Sequence, residues 1–402
     1  MDFSITGVMS VKVLFIAREY PPFEVGGAAI HTFNLVKNLQ KIGVCCRVLS
    51  FGDPAFSNDE VTFVKPSSSV IEKSDSSASN DIRIPFDILR ITRIANSWIM
   101  NENFDIVHVE EPYIGAFVRH RRKVTTIHDT SYGEIKSLLR YEKSFPVLKR
   151  LAFYFSMGFF FELMSTASSN VIIVPSEQVR KEMIEVYRAS KSKLVVLRNG
   201  VEIPKLNKFS RREAKEELGL PAETKLIFTA SQHIARKRLD ILVKAVLLLK
   251  KQNLTGYKVI IAGDGPLRPF LLDLVRNSGL DDIVELPGWV TQEQKTLYYQ
   301  VADIFVLTSE YEAGPISLLE AMSFGNAAVS SKIDGFPSLM HDYTDGLLFP
   351  VGDYHRLSKC LAELLSNPSL REKLSASARC FAAKFDWGSV AKDTKSIYEG
   401  LC

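Results

Sequence analysis

Cysteine is scarce in this chain of 402 residues. The five present (Cys45, Cys46, Cys360, Cys380 and Cys402) are odd in number and form no C-x-x-C pair. No disulfide framework is implied, and a reducing cytoplasm is expected. Long apolar runs are missing as well. The best, "LKRLAFYFSMGFFFELM" from Leu148 to Met164, is interrupted by Ser156, Gly158 and Glu162, far short of the roughly 20 apolar residues a spanning helix needs. The opening "MDFSITGVMS" lacks a basic start followed by an apolar stretch, so it reads as a polar leader, with Met9 an alternative start. There is no G-x-x-x-x-G-K-[ST] loop, which argues against an NTPase. The run "RHRRK" at 119–123 is basic, but it has no interleaved aromatic motif and the sequence pI is only 8.6, so no nucleic-acid partner is expected.

What is present points to two domains. At 402 residues the chain exceeds the size at which one core usually keeps growing. The net charge of +4 is uneven: residues 1–200 carry 25 Lys/Arg against 21 Asp/Glu, whereas the rest carries 25 of each. A partner that responds to charge is therefore expected on the N-terminal half. Short apolar runs ("VKVLFIA", "VCCRVLSF", "DIVHVE", "VTTIHD", "VIIVPS") alternate there with helix-period segments, the first from Ala29 to the stop at Gly43. That alternation predicts a buried parallel sheet with binding residues at its strands' C-terminal ends. "KPSSSVIEKSDSSASN" at 65–80 reads as a polar surface loop. After "LVVLRNGVEIP" the pattern restarts with "KLIFTAS", "YKVIIAGDGP", "IVELPG" and "ADIFVLTS". The expected division is 1–203 and 204–384, both Rossmann-like, with 385–402 a final helix crossing back to the first domain.

One stretch carries chemistry. "SEYEAGPISLLEAMSFG" sets Glu312 and Glu320 with seven residues between them, around a Gly-Pro pair that opens an apolar run. Pro315 suits the first helical position, where its missing N–H is no loss. The free N–H groups of the following turn then form an anion site. Glu320, leaning back toward the helix start, suits a ribose diol behind a bound phosphate, and Glu312 suits whatever is attached on the other side. The same two glutamates also fit surface acids placed near a helix N-terminus by the dipole alone.

With "GNAAVSS" and "GFPSLMHDYTDGLLFPVGD" after it, this stretch resembles the donor-binding signature of the retaining, nucleotide-sugar-dependent glycosyltransferases of family 4, which have the GT-B fold. "PPFEVGGAAIHTFNLVKNLQKIG", "FDIVHVEEP", "VTTIHD", "RNGV", "AGDGPLRPFL", "LPGWV" and "FAAKFDWGSVAKDTKSIYEGL" extend the likeness over most of the chain. The resemblance implies two Rossmann-like domains facing across a cleft, retention at the anomeric carbon, and neither metal nor cofactor. It assigns Glu320 to the ribose, Glu312 to the donor sugar, and Gly314 with the backbone of Ile316, Ser317 and Leu318 to the diphosphate. Gly26 and Gly27 would let backbone approach the same diphosphate. Lys237 would neutralise the leaving group, His128 would contact the transferred sugar, and Gly288 to Val290 would line the base. Two departures stand out. Gln232 occupies a place where the family usually has arginine, and Pro315 removes one N–H donor.

The function expected is transfer of a hexose from a UDP- or GDP-linked sugar to an acceptor hydroxyl. The leaving phosphate would take the acceptor's proton. A metal-dependent transferase of the other common fold would need a D-x-D clamp, and none occurs. The alternative kept open is a sugar-nucleotide-binding protein or epimerase of the same fold. Residues 119–150 hold nine Lys/Arg against three acids and lead into the aromatic run. A segment over 119–164 resting on an anionic membrane surface would make the acceptor a lipid or lipid-linked glycan and the protein peripheral on the inner face. The same aromatics also suit the core of the first domain.

Overall fold

The computed structural model describes residues 11–23, 26–67, 84–141, 151, 154–204, 210–333 and 340–402. The expected leader, residues 68–80 of the serine-rich loop, residues 142–150 of the basic run and Gly335 lie outside them. Two units divide the chain. Met1–Ile135, Phe145–Gly200 and Trp387–Cys402 form one; Lys136–Ser144 and Val201–Asp386 form the other.

Unit 1 is built on seven parallel strands: β1 Lys12–Ile16, β2 Cys45–Phe51, β3 Val61–Val64, β4 Ile106–Val109, β5 Lys123–Thr126, β6 Val171–Val174 and β7 Leu194–Val196. Their spatial order is 3-2-1-4-5-6-7. Val13 to Ile16 and all of β4 are buried, as strands with helices on both faces must be. The helix Gly27–Lys41 follows β1 and packs Leu35, Val36 and Leu39 into the core on one side of the sheet. The C-terminal helix Trp387–Glu399 joins the same core through Trp387, Val390, Ala391 and Tyr398. Gly200 permits this approach, because a Cβ there would lie about 2.4 Å from the Trp387 ring.

Unit 2 repeats the scheme with six strands: β8 Lys225–Ala230, β9 Tyr257–Ala262, β10 Val284–Gly288, β11 Ile304–Leu307, β12 Ala327–Lys332 and β13 Leu347–Pro350. The order 10-9-8-11-12-13 reverses between β8 and β11, as that of unit 1 reverses between β1 and β4. In open sheets of this kind ligands bind beyond the carboxyl ends of the strands at the reversal. The fold alone therefore directs attention to the loops after β1, β4, β8 and β11.

Candidate active site

The loops at the unit 2 reversal and the helix that follows them hold most of the residues singled out by sequence. Gln232 and Lys237 follow β8; Glu312 and Gly314 follow β11. The two loops are tied together, Thr308 Oγ1 donating to the Lys237 carbonyl (2.6 Å) and the Glu310 N–H to the Arg236 carbonyl (3.0 Å). The side chains meet as well. Lys237 Nζ and Ser309 Oγ both donate to Glu312 Oε1, each at 2.6 Å, and Arg236 Nη1 lies 4.0 Å from Oε2. Burial works against the charge on Glu312, but Lys237, Arg236 and Ser309 outweigh it and hold the carboxyl below its ordinary pKa. Lys237 is largely covered. The glycines of "GDG" brace the Gln232 loop from β9. At φ +121° Gly263 would set a Cβ on the Ser231 carbonyl, and at φ +154° Gly265 would set one against that of His233.

The helix expected after Gly314 runs Ile316–Phe324 and ends at Gly325. One expectation is corrected. Pro315 is not its first residue but its N-cap, with ψ at 100° in the extended region and no side-chain capping bond. A proline precedes the helix well because the residue before it, Gly314, is steered out of helical conformation. The first helical N–H groups are thus those of Ile316, Ser317 and Leu318. Glu320, one turn on, is held by side chains of a neighbouring helix. Lys295 Nζ donates to both its oxygens (3.0 and 3.2 Å), and the Tyr299 hydroxyl donates to Oε2 at 2.8 Å. Both partners stand on the helix Gln292–Val301, started by a Thr291–Gln294 capping box. Gly288, at φ +84°, ends β10, and Val290 packs on the unit's second apolar cluster.

The unit 1 reversal gathers a different set. Gly26 is the N-cap of Gly27–Lys41, with φ −155° and ψ −174°, a conformation open to any residue, and a Cβ there would meet nothing within 4 Å. The protein itself thus gives no reason for glycine at 26. His128 follows β5, and its Nε2 lies 2.9 Å from Oε2 of Glu110, the residue immediately after β4. Glu110 is 1% exposed, and its Oε1 has no hydrogen-bond partner. His31, on the helix after Gly27, places Nε2 3.8 Å from Oε2, and His108 places Nε2 3.6 Å from Oε1. Burial is the main cause holding His31 and His108 down to a pKa of about 4 and lowering that of His128. His108 is fully occupied, with Nδ1 on the Tyr398 hydroxyl (2.5 Å) and Nε2 on Thr126 Oγ1 (2.7 Å). His31 Nδ1 meets Asn199 Oδ1 at 3.0 Å. His31, Glu110 and His128 each offer an atom within 4.8 Å of the others, so they are the residues that could share a cation among those described.

Sequence reasoning missed Glu110, His31, Asn199, Ser309, Lys295 and Tyr299. Ser309 lay within the quoted motif and Glu110 within "HVEEP". For Lys295 no signal exists, because its partner is 25 residues away.

Two family matches bear on this arrangement. Residues 25–204 match Glycosyltransferase Family 4, and residues 210–381 match Glycosyl transferases group 1. The chain belongs to the group 1 glycosyltransferase family. A relative from Methanocaldococcus jannaschii, described as an uncharacterized glycosyltransferase, is 24% identical over 407 residues, covering 97% of this chain and 98% of that protein. Two solved structures share the fold. Sucrose-phosphate synthase from Thermosynechococcus elongatus aligns with a TM-score of 0.80 at 16% identity, covering 98% of this chain and 99% of the other. Anabaena HepE in complex with UDP-glucose aligns at 0.74 and 17%, covering 97% and 99%. The fold is GT-B, with two Rossmann-like units. Among the described residues no helix is long and apolar enough to cross a membrane.

Proposed function

We propose that the protein moves a hexose from a UDP- or GDP-linked sugar to an acceptor hydroxyl, retaining the anomeric configuration and using no metal. The observation that carries this reading is the unit 2 reversal. There an uncapped helix start after Pro315 stands between a charged Glu312–Lys237 pair and a Glu320 held by Lys295 and Tyr299. Free N–H groups at a helix start favour a phosphate, and carboxylates before and behind it accept from hydroxyls. A nucleoside diphosphate sugar presents those groups in that order, and HepE, which shares the fold, binds UDP-glucose.

In this reading Glu320 takes the ribose, Glu312 the donor sugar, and Ile316 to Leu318 the diphosphate, with Gly314 leading the chain into that turn. Lys237 and the helix dipole stabilise charge that grows as the bond to the sugar breaks, where a positioned cation acts most strongly. The leaving phosphate accepts the acceptor's proton. The resemblance adds Gly26 and Gly27 for the diphosphate, His128 for the sugar, and Gly288 to Val290 for the base. Gln232, in place of the family's arginine, is the one feature favouring a second reading, a sugar-nucleotide-binding protein or epimerase without transfer.

The test is to incubate UDP-, GDP- and ADP-sugars with and without glycan and lipid-linked acceptors and to measure free nucleoside diphosphate. Release that requires acceptor supports transfer, and binding without release supports the second reading. For the acceptor we favour a lipid or lipid-linked glycan at an anionic membrane surface on the cytoplasmic side. Phe155 and Phe160 are exposed at 60% and 55%, while Glu162, two residues after Phe160, is buried. Recovery of the protein with anionic liposomes on sedimentation, and not with neutral ones, is the expected result.

A further inference from the structure

We propose that Glu110 is a positioning residue, holding the His128 imidazole with its proton on Nε2 so that Nδ1 stays an acceptor for a substrate hydroxyl. The identity of that substrate rests on the transferase reading above; the arrangement of protons does not.

Glu110 Oε2 accepts in the 2.9 Å contact when the hydrogen is on His128 Nε2, the arrangement proposed. A ring that carries its one hydrogen on Nε2 has its lone pair on Nδ1. His31 is set by the same logic in reverse. Its Nδ1 faces the carbonyl oxygen of Asn199, so the hydrogen is there and Nε2 carries the lone pair. Glu110 Oε1 adds a further acceptor with no partner of its own. Three elements thus contribute acceptors and no donor: the helix Gly27–Lys41, the end of β4 and the end of β5.

The other groups facing Glu110 do not alter this. His108, on its own strand, has both nitrogens engaged by Tyr398 and Thr126. The charges acting on His128 from farther off, Glu111, Arg18 and Glu19, are of both signs. Of these, Glu110 Oε1 is buried without a partner; a buried acceptor left unpaired is costly, so it favours a ligand that brings a hydrogen. A hydroxylated ring supplies several, whereas an ionised carboxylate in the same place supplies none. Glu110 thereby acts on discrimination and turnover through His128.

The experiment uses the full chain with 15N-labelled histidine. NMR of the wild type is expected to show His128 in the Nε2–H tautomer and His31 in the Nδ1–H tautomer. Glu110→Gln keeps an acceptor oxygen and should keep the His128 tautomer and most of the turnover. Glu110→Ala should yield mixed tautomers and lower kcat about tenfold to a hundredfold, the worth of one hydrogen bond to a charged group, with donor KM little changed. Donor sugars lacking one hydroxyl at a time should lose turnover with the wild type at one position, and that loss should shrink in Glu110→Ala. A His128 tautomer of Nδ1–H, or one untouched in Glu110→Ala, overturns the proposal. So does a stoichiometric divalent metal in the wild type that disappears in Glu110→Ala, because the metal would occupy the place of the Nε2 proton. Should no donor be turned over at all, the transferase reading fails while the tautomers still decide the role of Glu110.

Discussion

Glu110 in unit 1 and Glu312 in unit 2 occupy matching places, each just beyond the strand where its sheet order reverses. Both are buried, yet their surroundings are opposed. Glu312 is met by an ammonium at 2.6 Å with a guanidinium at 4.0 Å, whereas Glu110 is surrounded by the imidazoles of His31, His108 and His128. The unit 2 carboxylate is therefore fixed as an ion over the whole working range of pH. Its cation is also available to respond when negative charge appears beside it. The unit 1 carboxylate sits among rings that burial keeps neutral, so that end offers lone pairs in preference to charge. One strand arrangement thus supports two kinds of recognition, and side chains in four loops decide which.

The largest expected effect breaks the unit 2 side of the comparison. Lys237→Ala should lower kcat by about 10²–10³-fold, the usual loss for one positioned group that stabilises developing charge. Acceptor-dependent release of nucleoside diphosphate is the assay. The substitution also leaves Glu312 buried without its nearest cation, which destabilises by about 3–5 kcal/mol. The double variant Lys237→Met/Glu312→Gln should recover much of that stability by urea unfolding and none of the rate. Recovery of both would make the pair structural.

Next comes the unit 1 side, tested by pH. His108 has a folded pKa of about 4 against an ordinary 6.5. The unfolded chain therefore binds the extra proton first, and wild-type stability falls as pH drops from 6.5 to 4. His108→Gln keeps donor and acceptor atoms for Tyr398 and Thr126 but has nothing to charge. The stability gap between the two proteins should shrink on acidification over that window, by an amount on the order of 3 kcal/mol. The Glu312 carboxyl, held low, acts in the same direction but in a lower window: its contribution is present above about pH 4.5 and is lost only below it.

How much of this could be read beforehand follows from the reach of each interaction. Strand and helix alternation is written in local periodicity, so both doubly wound sheets were legible. The positions of Glu312, Glu320 and Lys237 were legible because motif and chain order place Glu312 and Lys237 in loops beside the reversal and Glu320 on the helix that follows. That Lys237 touches Glu312, 75 residues on, was not, since only the pairing of β8 with β11 brings their loops together. Glu110 stood in plain view after "DIVHV", yet its meaning depends on His31 and Asn199, which arrive from 79 residues before and 89 after. Pro315 was misjudged by one position because a proline fits both the N-cap and the first turn, and only backbone geometry separates them.

A smaller effect separates the two glutamates of unit 2. Glu320→Ala should raise donor KM about tenfold to a hundredfold, by loss of hydrogen bonds from a ribose diol to a charged acceptor, with kcat nearly unchanged. Glu312→Ala should do the reverse, lowering kcat more than it raises KM. Equal shifts in both parameters for both variants would remove the distinction between ribose and sugar contacts.

The smallest expected effect concerns Gln232. Its loop already carries Arg236, Lys237 and Arg238, and Arg236 lies 4.0 Å from Glu312. A further arginine at 232 would meet like charges in the empty protein and an anionic diphosphate in the loaded one. The donor carries at least two negative charges, so attraction should win, but at a part-exposed position such pairs are worth only about 0.2–1 kcal/mol. Gln232→Arg should therefore lower donor KM by up to about fivefold, more at low salt than at high, because exposed charges are screened. An unchanged KM at low salt would mean that Arg236 already supplies the charge the family usually draws from position 232, and that glutamine there is a substitution the neighbouring residues have absorbed.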